Sequence, residues 1–276
     1  MRILHLSDTH FFASPDERHY GRVDVRAALD DVLARADDLG AIDVVVLSGD
    51  LSDDGTAESY RALQAAIEPW ARRLGAREVV YAYGNHDGPG FDEVLGARRR
   101  VVTVGGWRII VLDTSVAMKG YGELDAGQLD WLREQLGTPA ERGTIVVMHH
   151  PPVPASTPLL QALELRNPDA LAAAIVGTDV ALILSGHYHH PVFQRFHGIP
   201  VVVAPGVANT TDSLAPAGHE RAVAGGGFVT VVVDGDHPPR AQSYSARQGI
   251  DDGTVLFDLD ELEVLRIAEA FGAPRP

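Results

Sequence analysis

The stretch VVYAYGNHDG, residues 79–88, decides how the chain is read. An apolar run, Val79–Tyr83, stops at Gly84 and three polar side chains, Asn85, His86 and Asp87, with Pro89 and Gly90 close behind. A short continuous apolar run bounded by glycine and proline is the pattern of a buried strand. The polar triplet therefore sits where a strand leaves its sheet.

Four other runs end alike. Ile3–Leu6 leads into Ser7, Asp8, Thr9 and His10, and Val44–Leu47 into Ser48, Gly49 and Asp50. Ile145–Met148 leads into His149, His150, Pro151 and Pro152, and Val180–Leu184 into Ser185, Gly186, His187, Tyr188 and His189. In α/β proteins ligands bind beyond the carboxyl ends of strands, so five such tips can meet in one crevice. Singly, each tip has an ordinary explanation: Gly-Asp after a strand is usually a turn, and Asn-His-Asp is commonly a loop cap. Together they exceed what folding requires. His187 and His189 stand two apart, which in extended chain turns both to one side.

Helical spacing fills the intervals. Val25, Ala28, Leu29, Val32, Leu33 and Ala36 share one face; Tyr60, Leu63, Ile67 and Trp70 share another, with Pro69 expected to kink or end that helix. A helix from near Asp125 buries Leu129, Leu132 and Leu136. Another, Ala170–Val176, is expected to take Asn167 as N-cap and Pro168 in its first turn. The acidic stretch Asp251–Asp260 leads into a last helix, Glu261–Phe271. Later segments add hairpins: Val101–Val104 with Arg108–Leu112, and Val192–Phe196 with Ile199–Val203 across His197-Gly198, before a strand at Gly227–Val233. The pattern predicts an α/β fold of two packed sheets with outer helices.

Composition narrows the function classes. A chain of 276 residues, 45% apolar and 22% charged, is globular and long enough for one large domain or a domain with an appendage. Its 38 acidic against 23 basic residues leave a net charge of −15, which argues against nucleic-acid polymers and anionic membranes as partners. Cysteine is absent, so metal ligands must be oxygen or imidazole. No apolar run reaches the roughly 18 residues of a membrane span. MRILHLSD reads as a first strand rather than a signal peptide, and a cytoplasmic protein is expected.

Asp8, His10, Asp50, Asn85, His149, His187 and His189 offer two carboxylates, one amide oxygen and four imidazoles. That is too many for one tetrahedral zinc and about right for two five- or six-coordinate ions sharing a carboxylate.

The ordered blocks D-x-H, GD, GNHD, HHPP and G-H-x-H, across residues 8–189, resemble the calcineurin-like metallophosphoesterase family. YGRVD at 20–24, RIIVLDTSV at 108–116, HHPPVP at 149–154, GTDV at 177–180 and GIPV at 198–201 are similar to bacterial class III cyclic-nucleotide phosphodiesterases of the mycobacterial type. This likeness runs from residue 1 to residue 235 or so; from 240 onward there is no clear match. It implies a four-layer αββα sandwich of two mixed β-sheets flanked by helices, with a catalytic domain over 1–245 and a helix-bearing extension over 246–276. It places Asp8, His10, Asp50 and His189 on one metal ion and Asp50, Asn85, His149 and His187 on a second. His149 is taken over His150 because the family's ligand stands two residues before a proline. Fe and/or Mn are the expected ions, Zn or Co the alternatives.

The implied reaction is hydrolysis of small phosphodiesters, foremost 3′,5′-cyclic nucleotides such as cAMP, by in-line attack of a hydroxide bridging the ions. His86 is the general acid for the leaving alkoxide. A glycerophosphodiesterase or broad small-diester hydrolase is the alternative, and a non-catalytic scaffold the alternative of another class. A homodimer is implied. Asp87, His150, Tyr188 and His190 are expected to orient ligands or touch substrate. His5 reads as a satisfied buried histidine, His19, His197, His219 and His237 as solvated, and Arg98–Arg100 as a solvated basic run able to attract anions.

Overall fold

A computed structural model of the chain describes residues 1–246 and 255–273. β1 (Arg2–Leu6), α1 (Val25–Ala36), β2 (Val44–Leu47), α2 (Ala57–Arg73) and β3 (Glu78–Tyr81) come first. α3 (Gly90–Val94), β4 (Arg100–Val104), β5 (Trp107–Val111), α4 (Ala126–Leu136) and β6 (Gly143–Val147) follow. Next are α5 (Pro158–Ala162), α6 (Pro168–Ile175), β7 (Val180–Ser185), β8 (Val192–Phe196), β9 (Ile199–Val203) and β10 (Asn209–Thr211). β11 (Glu220–Ala224), β12 (Gly227–Val232), β13 (Arg240–Ser245), β14 (Val255–Leu259) and α7 (Glu261–Phe271) complete the order.

Two mixed sheets dominate, ordered β13-β12-β1-β2-β3 and β4-β5-β6-β7-β9-β8. Within them β1, β2 and β3 are mutually parallel, as are β5, β6, β7 and β9. Alternation along each strand assigns its two faces. Ile3, Val44, Val46, Ile109, Val111, Ile145 and Val147 meet between the sheets. Leu4, Leu6, Val45 and Leu47 turn the other way, onto α1 and α2. Ile110, Leu112, Val146 and Met148 turn outward from the second sheet, toward α4 and α6. Helix, sheet, sheet and helix therefore stack as four layers. Because both faces of the central strands are covered, β2 and β6 are buried along their whole length.

The structure refines three local expectations. α2 runs through Pro69 to Arg73. Pro69 and Ala65, whose carbonyl loses its helical donor, both lie on the exposed side, where water takes the donor's place. Asn167 stands at the N-cap of α6 and Pro168 opens its first turn, as expected, but the Asn167 side chain makes no capping bond. Its amide instead bridges the backbone N–H and C=O of Leu124, at 3.0 and 2.8 Å, tying α6 to the start of α4. The Arg98–Arg100 run is not free in solvent: Arg98 stacks over Tyr83 at 3.7 Å, Arg99 over Trp131 at 4.9 Å, and Arg100 donates to Tyr81 O.

Small elements were not anticipated. A three-stranded sheet, β10-β11-β14, stands beside the sandwich. β14 and α7 come from the expected extension, and α7 packs on α5. Residues 251–254 of the acidic stretch lie outside the described residues, whereas 255–259 are strand.

Ile145, fully buried between the two sheets, has no room to relax around a lost side chain. Ile145→Ala is expected to cost about 2–5 kcal/mol, read as a lower urea midpoint at unchanged slope.

Candidate metal centre

The five tips leave the carboxyl ends of β1, β2, β3, β6 and β7, all parallel strands, and so reach one rim of the sandwich. Neighbouring tips are sewn together by backbone bonds: Asp8 N–H to Gly49 O at 3.0 Å, His10 N–H to Asp50 O at 3.0 Å and Gly186 N–H to His149 O at 3.0 Å. The tips after β1, β2 and β7 also turn sharply. Asp8, His10, Asp50, His187 and His189 all hold positive φ, between 49° and 71°, and make up five of eight such non-glycine residues among those described. Left-handed backbone costs a residue with a Cβ on the order of 1 kcal/mol, and such costs gather at functional sites.

The glycines of the motifs exist because site side chains lie against them. A Cβ on Gly84 would stand 2.2 Å from Asp50 Oδ1, one on Gly49 2.5 Å from His149 Nδ1, and one on Gly186 1.7 Å from Ser7 Oγ. GD, GNHD and GH are thus packing statements about the neighbouring tip.

Two clusters result. Asp8, His10 and His189 bring one ligand atom each within 4.8 Å of one another, and Asp50, His149 and His187 do the same. The hydrogen bonds around them fix the proton on each ring. His149 Nδ1 faces Ser48 O at 2.9 Å, His187 Nε2 faces Leu163 O at 3.0 Å and His189 Nδ1 faces Asn209 O at 3.3 Å. A carbonyl only accepts, so these nitrogens carry hydrogen. His10 Nδ1 lies 2.6 Å from an Asp53 carboxylate oxygen and carries one too. In each neutral ring the other nitrogen then presents a lone pair. His10 Nε2 and His189 Nε2 face each other at 3.3 Å, two acceptors with nothing to share but a cation. His149 Nε2 is 3.2 Å from Asp50 Oδ2 without hydrogen-bonding geometry, and Asn85 Oδ1 is buried with no partner.

The charges respond to this crowding. Burial alone would raise Asp8 and Asp50, yet His189 and His149 beside Asp8, and His149 and His86 beside Asp50, hold both well below the usual carboxylate range. Burial would lower His149, and Asp50 reverses this to about 9. His187 is pushed down by burial and by the neighbouring imidazoles.

Asp53 was not foreseen. One oxygen meets His10 Nδ1 at 2.6 Å and His86 Nδ1 at 3.1 Å; the other meets His19 Nδ1 at 2.5 Å. Its place three residues after Asp50, in GDLSDDG, was the available signal. His19 corrects an expectation: it is buried, stacked on His10 at 4.2 Å, and lowered to about 4 by burial and by His10. A loop position hid a residue that the fold carries inward. His86 remains open, with 44% of its side chain exposed. Its crowded surroundings lower its pKa, but Asp50, Asp53 and Asp87 outweigh them and lift it to about 9.

The supporting residues divide. Asp87 accepts from Leu51 N, Ser52 N, Gly84 N and Tyr60 Oη, so it staples the Asp50 loop to its own turn. Burial and Asp50 push its carboxyl up to about 7, but all four partners are donors, the geometry of an ionised carboxylate. His150 is buried with both ring nitrogens engaged, by Thr114 Oγ1 at 2.7 Å and Gly120 O at 3.0 Å, leaving no lone pair for the cluster. Tyr188 is fully buried and its hydroxyl donates to Val153 O; His190 bonds Tyr188 O and Ser156 Oγ. These two brace the loop after β7 and do not line the cavities above the cluster. His5 bonds Ser48 Oγ through Nε2, while its Nδ1 has no partner. His197 is exposed, as is His237, whereas His219 pairs with Asp258 at 2.9 Å.

Two cavities open over the clusters, of about 490 and 860 Å³, sharing Asn85, His86, Leu163 and Ile267. The smaller is floored by Asp50, His187 and His189; the larger carries Arg98 and Lys119.

Residues 1–191 match the family described as calcineurin-like phosphoesterase. The chain belongs to this family. It is 42% identical over 228 residues, covering 79% of the chain and 71% of the relative, to a cAMP/cGMP dual specificity phosphodiesterase of Mycobacterium tuberculosis. It is 33% identical over 230 residues, 78% of the chain and 82% of the relative, to a 3′,5′-cyclic adenosine monophosphate phosphodiesterase of Pseudomonas aeruginosa. The fold is shared with a purple acid phosphatase of yellow lupin at TM-score 0.61 and 17% identity, over 96% of this chain and 55% of that one. It is shared equally with GAP50, the anchor in the inner membrane complex of Plasmodium, at TM-score 0.60 and 12% identity, over 99% and 95%. A shared architecture alone does not decide what a protein does.

Two substitutions test the geometry. Gly84→Ala is expected to displace Asp50 and abolish tight binding of Mn²⁺, with far-ultraviolet circular dichroism unchanged. Asp53→Asn frees the His10 ring and is expected to weaken Mn²⁺ binding roughly 10- to 100-fold by calorimetric titration.

Proposed function

We propose that the chain is a dinuclear metal-dependent phosphodiesterase of small diesters, foremost 3′,5′-cyclic nucleotides. The observation that carries this reading is the locked tautomer of four imidazoles. His10, His149, His187 and His189 each donate from one nitrogen to a fixed acceptor, which leaves the other as a ligand atom beside Asp8 and Asp50. The names of the two bacterial relatives support the substrate class.

The donor set suits two hard or borderline divalent cations: Asp8, His10, Asp50 and His189 for one, Asp50, Asn85, His149 and His187 for the other, with Asp50 shared. Buried Asn85 Oδ1 and His149 Nε2, both without hydrogen-bond partners, are what such ions would satisfy. Iron and manganese head the candidates, zinc and cobalt follow; homodimeric assembly and a cytoplasmic location belong to the same reading. When bound, the ions lower the pKa of a water to make the nucleophile and neutralise the phosphate oxygens.

The chain's own groups do the rest. Asp53 holds His86 by Nδ1, so that Nε2 is turned to the substrate side, and the Asp53 carboxylate favours the protonated ring. His86 then delivers a proton to the departing alkoxide oxygen. Asp87 fixes the loop bearing Asp50 and the turn bearing Asn85, so that both approach the phosphate from set positions.

His86→Ala is expected to lower kcat on cAMP roughly 10²- to 10⁴-fold with metal content by elemental analysis unchanged; loss of the metals would refute the acid role. Asn85→Ala should instead halve the bound metal. A panel of 3′,5′- and 2′,3′-cyclic nucleotides, glycerophosphodiesters and a chromogenic diester on Mn²⁺-loaded protein tests the substrate. Turnover of neither cyclic class would remove the cyclic-nucleotide reading.

A further inference from the structure

Tyr20 has no part in the chemistry above, yet the backbone bears a cost to present it. It sits in the tight turn closed by the antiparallel His19–Val23 bridge, and takes φ 52° ahead of Gly21 at φ 68°. Consecutive left-handed positions suit glycine, asparagine or aspartate; a bulky aromatic there is an outlier. The ring does not repay this by burial, for Tyr20 is 47% exposed.

Its surroundings say what the ring is for. Tyr20 lines the cavity of about 490 Å³ whose floor holds Asp50, Asn85, His187 and His189. That size is within the range of pockets for small organic ligands. The facing wall is apolar: Leu160 and Leu163 from the α5 region, Leu256 and Phe257 from β14, and Ile267 from α7. Below, the Tyr20 ring rests on His19 at 3.8 Å, and His19 is fixed by Asp53, the same carboxylate that orients His10 and His86. To one side Phe257 stands nearly perpendicular to it, centroids 4.7 Å apart at 83°. The ring is thus held rigidly against the cluster, and two aromatic surfaces meet at a right angle beside it.

We propose that Tyr20 is a substrate-binding residue whose ring stacks on the nucleobase of the diester, with Phe257 as the end wall. It thereby selects nucleoside phosphodiesters over aliphatic ones such as glycerol diesters. This rests on the phosphodiesterase reading above and adds the residue that recognises the nucleoside part of the substrate. Stacking of a base on an aromatic side chain needs no particular hydrogen-bond pattern, so purine and pyrimidine nucleotides share the benefit, purines more by area.

The test compares wild type, Tyr20→Phe and Tyr20→Asn. Asparagine accepts the left-handed backbone, so Tyr20→Asn is expected to melt at a higher temperature than wild type while losing affinity. Binding of a cyclic adenosine phosphorothioate to Mn²⁺-loaded protein is read by calorimetry, and kcat/KM is measured for cAMP and for glycerophosphoethanolamine. Tyr20→Asn should weaken phosphorothioate binding and raise KM for cAMP, each on the order of 10-fold, and lower the cAMP-to-glycerol-diester ratio of kcat/KM by a similar factor. Tyr20→Phe should match wild type in all three. Equal phosphorothioate affinity in wild type and Tyr20→Asn overturns the proposal, as does absence of binding to wild type. A parallel loss on both substrates together with a lower melting temperature marks a structural role and overturns it as well. If wild type hydrolyses no diester, the phosphodiesterase reading fails by itself, and the calorimetry still decides whether Tyr20 holds a nucleotide.

Discussion

Asp8 and Asp50 are both almost wholly removed from water and lie within each other's field. Two carboxylates in that position repel, and each has lost its hydration; unpaired, they would protonate or force the site open. Much of the rim answers this constraint. His149 and His189 stand against the two oxygens, the N–H groups of His86 and His187 point at them, and Asp87 pulls the Asp50 loop into place. Without cations the imidazoles can compensate only by holding protons, which is why His149 is raised while Asp50 is lowered. Metal binding at such a rim is an exchange of cations for protons.

Around this core Asp53 acts as a hub. It touches a candidate ligand, a candidate acid and a buried stacking partner, and so links metal geometry to proton delivery and to the aromatic ring at the cavity mouth. The C-terminal elements close the other side. Ile267 of α7 reaches both cavities, and Lys119 Nζ and Gly120 N bond the carbonyls of Ala270 and Phe271, pinning the end of that helix over the site. These C-terminal segments lie outside the matched residues 1–191 and still line both cavities.

The layers and the tips were legible because they follow from period and position. Continuous apolar runs such as Val44–Leu47 mark strands covered on both faces, and polar residues at their carboxyl ends mark the crevice. What escaped reading depends on contacts far apart in sequence. His19 looks like any loop histidine until Asp53 and His10 close over it, and nothing local distinguishes Asp53 from Asp54 beside it. The small sheet was missed because NTT and ERAVA carry too little alternation to announce strands. Pro69 does not end α2, for it and Ala65, whose carbonyl loses its donor, both lie on the exposed side of the helix. Glu220 likewise reads as an ordinary surface acid, yet it is buried in the cavity wall and pushed up to about 7 by that burial.

The placement of β1 has a consequence for how the chain is made. Its residues pair with β2 on one side and, through Arg2–Val232 to His5–Val229, with β12 on the other. During synthesis β1 keeps an unpaired apolar edge until β12 has followed it out of the ribosome. The loop carrying Asp8 and His10 hangs from that strand, and its backbone is secured by Val207 and Ala208, also late arrivals. The rim therefore cannot assemble until Val207, Ala208 and β12 have followed the loop they secure. A chain cut short before β12 would display an open sheet edge beside a half-built acidic site.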